Sequence, residues 1–223
     1  MAGADTSAML AKLVAPATAA LLVIDVQNDF CAKGGYYDKT GADISGAQPA
    51  IERLVGFIDQ ARSAGVLVIV VRCNYDPVYV SETQTSRSKR VGWDIPYCRP
   101  GTWGAEFYRV APQPGELIVT KHRYDGFHGT NLELILRTNR IQNLLFAGVA
   151  TNVCVESTLR SAYMRDFPSV LVADCCGARD AAVHEATLEN VRRHFGVVAR
   201  ADDIAENWNA PASRPQFAGA AAD

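Results

Sequence analysis

Several things are scarce or missing in this 223-residue sequence, and each absence removes a class of function. No apolar run approaches the roughly 20 residues that a membrane-spanning helix needs. No basic tract is present either; the net charge is −2 and the pI is near 6.1. A nucleic-acid footprint of clustered Lys and Arg is therefore excluded. Histidine is rare, with only His122, His128, His184 and His194, and no H-x-x-x-H or C-x-x-C spacing suggests zinc. The six cysteines, Cys31, Cys73, Cys98, Cys154, Cys175 and Cys176, have no disulfide-framework spacing. The opening stretch "MAGADTSAMLAKLVAPATAALLVIDV" has no basic n-region and runs straight into Asp25, which argues against a signal peptide. Together these point to a reduced, cytoplasmic protein.

What is present is a chain rich enough in apolar residues (48%) to bury a core without disulfides or metal. Short unbroken apolar runs at 19–24, 66–71, 117–119, 144–149 and 169–173 predict strands buried on both faces. Helical patterns fall between or after them at 49–64, 130–138, 152–166 and 181–194. The first begins at Pro49 and stops before Gly65, a favourable N1 and C′ pairing. This alternation predicts an α/β fold with a mostly parallel central sheet covered by helices on both sides. Residues 1–208 are expected to form one domain. Within it, 74–116 reads as a long insertion rich in Pro, Gly, Tyr, Trp and Arg, serving as a lid or an oligomer arm. Residues 209–223 read as a flexible tail.

Ligand sites in open parallel sheets lie beyond the carboxyl ends of the strands. Those ends carry Asp25, the stretch from Arg72 to Asp76, Lys121, the turn from Ala150 to Cys154, and the stretch from Asp174 to Cys176. The collection contains an acid, a base and a thiol. Cys154 falls in the first turn of the helix predicted at 152–166, where free N–H groups and the helix dipole lower a thiol pKa. Lys121 is expected at a partly buried rim. Asp25, after the apolar run 19–24, must find a partner for its carboxylate. Cys154 would then attack a carbonyl carbon, with N–H groups at the helix start stabilising the oxyanion and Asp25 shuttling the proton.

The segments "LLVIDVQNDF", "GTWGAEF", "KHRYDGF" and "GVATNVCVESTLR" together resemble the isochorismatase-like cysteine hydrolase superfamily over roughly residues 18–205. The resemblance implies a three-layer, Rossmann-like sandwich and a triad at Asp25, Lys121 and Cys154. It also implies a cis peptide at Val149–Ala150 that turns the Ala150 N–H toward the oxyanion, beside that of Cys154. Nicotinamidases of the superfamily carry an Asp-x-His metal site after the second strand. Here that stretch is "RCNYDP", so no metal and no cofactor are expected. Isochorismatases proper lack the nucleophilic cysteine.

Within the amidase branch the sequence is most similar to biuret and triuret hydrolases, through "DFCAKGGYYDKTGADIS", and to ureidoacrylate amidohydrolases, through "RYDGF" and "ATNVCVESTLR". The expected substrate is a small linear ureide of the biuret or triuret type, with ureidoacrylate as the alternative. Phe30 and Phe127 are expected to supply a flat wall, and Asn74, Tyr79 and Glu156 polar contacts. Arg72, Arg87, Arg90, Arg99 and Arg123 lie near the site loops; a carboxylated substrate would need one of them turned inward. A thiol switch involving Cys31 or the Cys175–Cys176 pair, a non-catalytic binding module, and a Cys–His hydrolase are the competing readings. The resemblance further implies a dimer or tetramer, for which Trp93, Tyr97 and Trp103 would suit an interface.

Overall fold

A computed structural model describes residues 2–209, so the expected tail lies outside the described residues from 210 onward. In chain order the elements are α1 (Ala2–Leu13), β1 (Ala19–Ile24), two single helical turns α2 (Asn28–Cys31) and α3 (Tyr36–Lys39), α4 (Gln48–Ser63), β2 (Leu67–Cys73), α5 (Glu82–Arg90) and β3 (Leu117–Lys121). They continue with α6 (Leu132–Thr138), β4 (Asn143–Val149), α7 (Glu156–Tyr163), β5 (Ser169–Gly177), α8 (Ala181–His194), β6 (Val197–Ala199) and α9 (Ala201–Asn209).

All six strands are parallel, in the order β3-β2-β1-β4-β5-β6. The order reverses between β1 and β4, the topological switch point at which α/β sheets bind ligands. The central strands are apolar on both faces because both faces are covered. Along β1, Ala19, Leu21 and Val23 enter one core, with Leu54, Phe57 and Ile58 of α4 and Ile204 of α9. The alternate residues Ala20, Leu22 and Ile24 enter the other, with Leu136 of α6, Leu159 of α7 and Val191 of α8. Each such side chain contributes about 1.5–3 kcal/mol by burial.

The five expected strands are all present, and β5 extends four residues further than expected, through Cys176 to Gly177. β6, α1, α5 and α9 were not expected. The insertion is not a featureless loop: it holds α5, opened by a reciprocal Ser81–Gln84 capping box, and two short helical turns at Pro77–Tyr79 and Trp103–Ala105. Nor do its aromatics form one exposed cluster. Tyr97 stacks on Tyr36 with ring centroids 4.1 Å apart, Trp93 packs beneath Arg179, and only Trp103 is largely exposed.

No helix among the described residues is long and apolar enough to cross a membrane.

Candidate active site

Three strand ends meet at the switch point. β1 ends at Ile24, and Asp25 follows in a left-handed conformation (φ 53°) that its short polar side chain tolerates. β4 lies tightly against β1: a side chain at Gly148 would place its Cβ 2.1 Å from the Ile24 carbonyl oxygen. The glycine therefore lets the two strand ends that carry Asp25 and Ala150 approach. Lys121 closes β3, two strands away from β1, across roughly 9–10 Å of sheet. Only a long cation can bridge that gap over the end of β2.

It does so fully buried. Lys121 Nζ lies 2.7 Å from Asp25 Oδ2 and 3.4 Å from Cys154 Sγ, and donates to the Arg123 carbonyl at 3.0 Å. Asp25 and Lys121 are both inaccessible to solvent, and Cys154 is 7% exposed. The expected rim position of Lys121 is thus corrected: its ammonium is buried because its two partners are. Burial alone would lower its pKa, but Asp25 and then Cys154 outweigh burial and hold it raised, so the ammonium stays charged. No hydrogen bond of good geometry reaches either Asp25 oxygen among the described residues, so the Lys121 contact is a close ion pair rather than a directed bond. That leaves the carboxylate with accepting capacity for a proton.

The nucleophile turn also departs from expectation. Residues Thr151–Val155 form a wide π-type turn before α7 starts at Glu156, with the Val155 N–H donating to the Ala150 carbonyl at 3.3 Å. Such turns are common at functional sites. The thiol is not poised as a thiolate. Burial pushes the Cys154 pKa well above the ordinary thiol range and Asp25 adds to it, while Lys121 only partly opposes them. Burial is the largest influence, and it favours the protonated thiol. The peptide bond Val149–Ala150 is cis.

The other named residues divide. Phe30 is buried against Tyr37 and Tyr97 and borders a narrow cleft with Val149 and Arg179. Phe127 is buried in the same core as Cys154, stacked on Phe167 with Arg165 over its ring. Asn74 borders a separate cleft of about 310 Å³ with Cys73, Cys98 and Thr102. Tyr79 is half-exposed and stacks on His122 at 3.8 Å. Both oxygens of Glu156 are taken up, by Arg160, Thr187 and Asn190.

Of the five arginines singled out, Arg72 donates to Thr120, Arg123 is held by the Tyr79 and His122 carbonyls, and Arg90 and Arg99 are exposed. Only Arg87 turns inward, 4.7 Å above Trp93. The guanidinium that sequence reasoning missed is Arg179, which covers the other neighbours of the cleft: it lies 4.1 Å from the Trp93 ring and 5.0 Å from Tyr37. Burial raises the Tyr37 phenol pKa, with Cys154 and Asp25 adding to it and Arg179 opposing.

Also unanticipated is the work of Gln27, Asn28 and Asp29. Gln27 brackets the end of β2, donating to the Cys73 carbonyl and accepting from the Cys73 N–H, and also donates to the Ala105 carbonyl. Asn28 donates to the Trp103 carbonyl, and Asp29 accepts from the N–H groups of Cys98 and Tyr36. These side chains pin the insertion over the site.

The isochorismatase domain model matches residues 19–203, which include all three strand ends and their side chains. The chain belongs to the isochorismatase family. It is 37% identical to the ureidoacrylate amidohydrolase RutB of Variovorax paradoxus over 211 residues, covering 87% of this chain and 82% of that one. It is 38% identical to the enzyme of the same name from Agrobacterium fabrum over 203 residues, covering 85% and 89%. Among solved structures, an isochorismatase family protein from Desulfovibrio vulgaris superposes with a TM-score of 0.73 at 27% identity, covering 85% of this chain and 97% of that one. Among the described residues no group of three His, Cys, Asp or Glu side chains is arranged to hold a metal ion.

Proposed function

We propose that this protein is a cysteine-dependent amidohydrolase that cleaves a C–N bond of a small linear ureide through an acyl-thioester intermediate, without a cofactor. The observation that carries this reading is the buried contact of Lys121 Nζ with both Asp25 and Cys154. Because the resting thiol is protonated, the first step is its deprotonation by Asp25 as sulfur attacks the carbonyl carbon. The N–H groups of Ala150 and Cys154 receive the developing oxyanion. Collapse of the adduct breaks the C–N bond, and Asp25 returns the proton to the departing nitrogen. Asp25 then takes a proton from water as its oxygen attacks the thioester, and as the C–S bond breaks Asp25 returns that proton to sulfur, restoring the thiol and the carboxylate. Lys121 stays charged throughout and stabilises whichever of Asp25 and Cys154 is anionic.

Two classes of ureide divide this reading. Biuret and triuret are neutral and need only amide partners, consistent with the resemblance of residues 29–45 to the hydrolases of those compounds. A carboxylated ureide is supported by the names of the relatives and by Arg179, which has no acidic partner within salt-bridge distance among the described residues. Asp43 borders the same cleft but is taken up by Ser45. The site's own oligomeric surroundings and its cytoplasmic location belong to this proposal as well.

The test is ammonia release from biuret, triuret, ureidoacrylate and nicotinamide, with chelator present, by the wild type, Cys154→Ala and Arg179→Ala. One ureide is expected to turn over and to lose about 10⁴-fold or more in kcat with Cys154→Ala. Preference for ureidoacrylate, with KM rising in Arg179→Ala, selects the carboxylated class; turnover of biuret or triuret unaffected by Arg179→Ala selects the neutral one. Activity that survives Cys154→Ala removes the thiol mechanism.

A further inference from the structure

Helix α8 presents a polar stripe, His184, Thr187 and Asn190, spaced three residues apart and therefore on one face. This stripe docks on the nucleophile turn from both sides of Cys154. On the N-terminal side the His184 ring nitrogen Nδ1 and the hydroxyl of Thr151 share a hydrogen bond of 2.9 Å. Thr151 is completely buried and follows Ala150 directly. On the C-terminal side Thr187 donates to Glu156 Oε2 at 2.8 Å, and Asn190 donates to Glu156 Oε1 at 2.7 Å. A third tie comes from within the turn's own helix: Thr158 donates to the Cys154 carbonyl at 2.7 Å while accepting from the Gly126 N–H at 3.0 Å.

The π-type turn carries the thiol and follows Ala150 directly; the Val153 and Val155 N–H groups share the Ala150 carbonyl at 3.0 and 3.3 Å. These bonds shape the turn, and the contacts with α8 fix where it sits against the rest of the fold. Of the groups that do so, His184 is the one that acts nearest to Ala150, and it is only half-buried, so its ring is not needed to fill the core. Burial lowers its pKa, with Glu185 opposing, which favours the uncharged imidazole.

We infer that His184 is a positioning residue: through Thr151 it sets the turn that aims the Ala150 N–H and the Cys154 sulfur at the substrate carbonyl. The inference rests on the proposed amidohydrolase reading and assigns a role to a residue outside the triad. It places the fourth functional contribution on α8, beyond β5, where no strand end marks it.

The experiment compares His184→Ala, His184→Asn, Thr151→Val and the double variant His184→Ala/Thr151→Val. On the ureide that the wild type turns over, His184→Ala is expected to lower kcat by about 10- to 100-fold, the range set by small misplacements of reacting groups, with KM little changed. His184→Asn, whose amide reaches the place of Nδ1, restores most of kcat. Thr151→Val repeats the loss, and the double variant is no worse than either single one, as for two ends of one interaction. In parallel, alkylation of Cys154 by iodoacetamide, followed by peptide mass mapping without substrate, is expected to change several-fold in His184→Ala and to return to the wild-type rate in His184→Asn. That second readout holds even if no ureide of the panel is turned over, so failure of the substrate reading and failure of this inference are separable. Unchanged kcat and unchanged alkylation in His184→Ala overturn the inference. So does a loss shared with thermal stability that His184→Asn does not restore, because that outcome belongs to packing alone.

Discussion

The ends of β4 and β5 lie side by side in the sheet and both carry buried cysteines, yet only one of these ends has the makings of a reactive centre. Cys154, beyond β4, lies 3.4 Å from the Lys121 ammonium, which is also paired with Asp25 at 2.7 Å. Cys176, near the end of β5, donates weakly to the Phe146 carbonyl at 3.7 Å and packs into apolar core. Its neighbour Cys175 faces the opposite side of the sheet, in the other core, so the two adjacent thiols point apart. Burial raises the pKa at all three, to about 12 for Cys176. Burial, then, does not distinguish a nucleophile from an inert thiol. The charged pair beside it does, and that pair exists only at the switch point, where β1, β3 and β4 deliver their ends to one place.

The comparison is broken most severely by removing the cation. Lys121→Met strands Asp25 as an unpaired buried carboxylate, and the expected cost is about 3–5 kcal/mol, with activity lost even in the fraction that remains folded. Chemical denaturation together with ureide turnover measures both; a stable and active Lys121→Met protein would contradict the role given to the ion pair. Alkaline pH tests the same cluster more gently. The folded-state pKa values of Lys121, Cys154 and Cys73 are all raised, so each contributes stability that is complete below its unfolded pKa and is lost as pH rises toward the folded one. Thermal midpoints should hold steady near neutrality and fall from about pH 9 upward, where free thiols and then lysines titrate; a midpoint that is flat to pH 11 counts against the buried cluster. The smallest effect belongs to the control strand. Cys176→Ala is expected to leave kcat within about twofold and to cost on the order of 1 kcal/mol in stability, as for the loss of one small buried group. A large fall in kcat there would mean that β5 contributes chemistry that its geometry does not show.

Much of this was legible from residues alone, for a specific reason. Strands buried on both faces leave unbroken apolar runs, and the polar residues that end those runs stand out: Asp25 after "LLVI", Lys121 after "LIVT". Cys154 was legible through its place after β4. Its raised pKa was not, because the burial of the thiol depends on residues that other strands and helices bring around it, which no local pattern reveals. Lys121 was misplaced at a rim for the same reason: its partners come from other strands. α5 escaped notice because "ETQTSRSKR" has no apolar residue to carry a period, and its only signal was the Ser81–Gln84 capping box. Arg179 lay outside the loops that were searched, two residues beyond a strand that ran longer than its apolar core suggested. Gln27, Asn28 and Asp29 were visible as part of a motif, but their hydrogen bonds to Cys73, Trp103 and Cys98 span distances along the chain that spacing cannot encode.

The strand order also sets a timetable for biosynthesis. A chain emerging from its N-terminus presents Asp25 and then Lys121 well before Cys154, and the sheet has a place for β4 only in its middle, against β1. Until β4 takes its place there, Asp25 and Lys121 have no Cys154 beside them, and the sulfur has no cation beside it. Under the proposed mechanism, no fragment that stops short of β4 would be partly active. Reactivity arrives as a single late event, coincident with closure of the core.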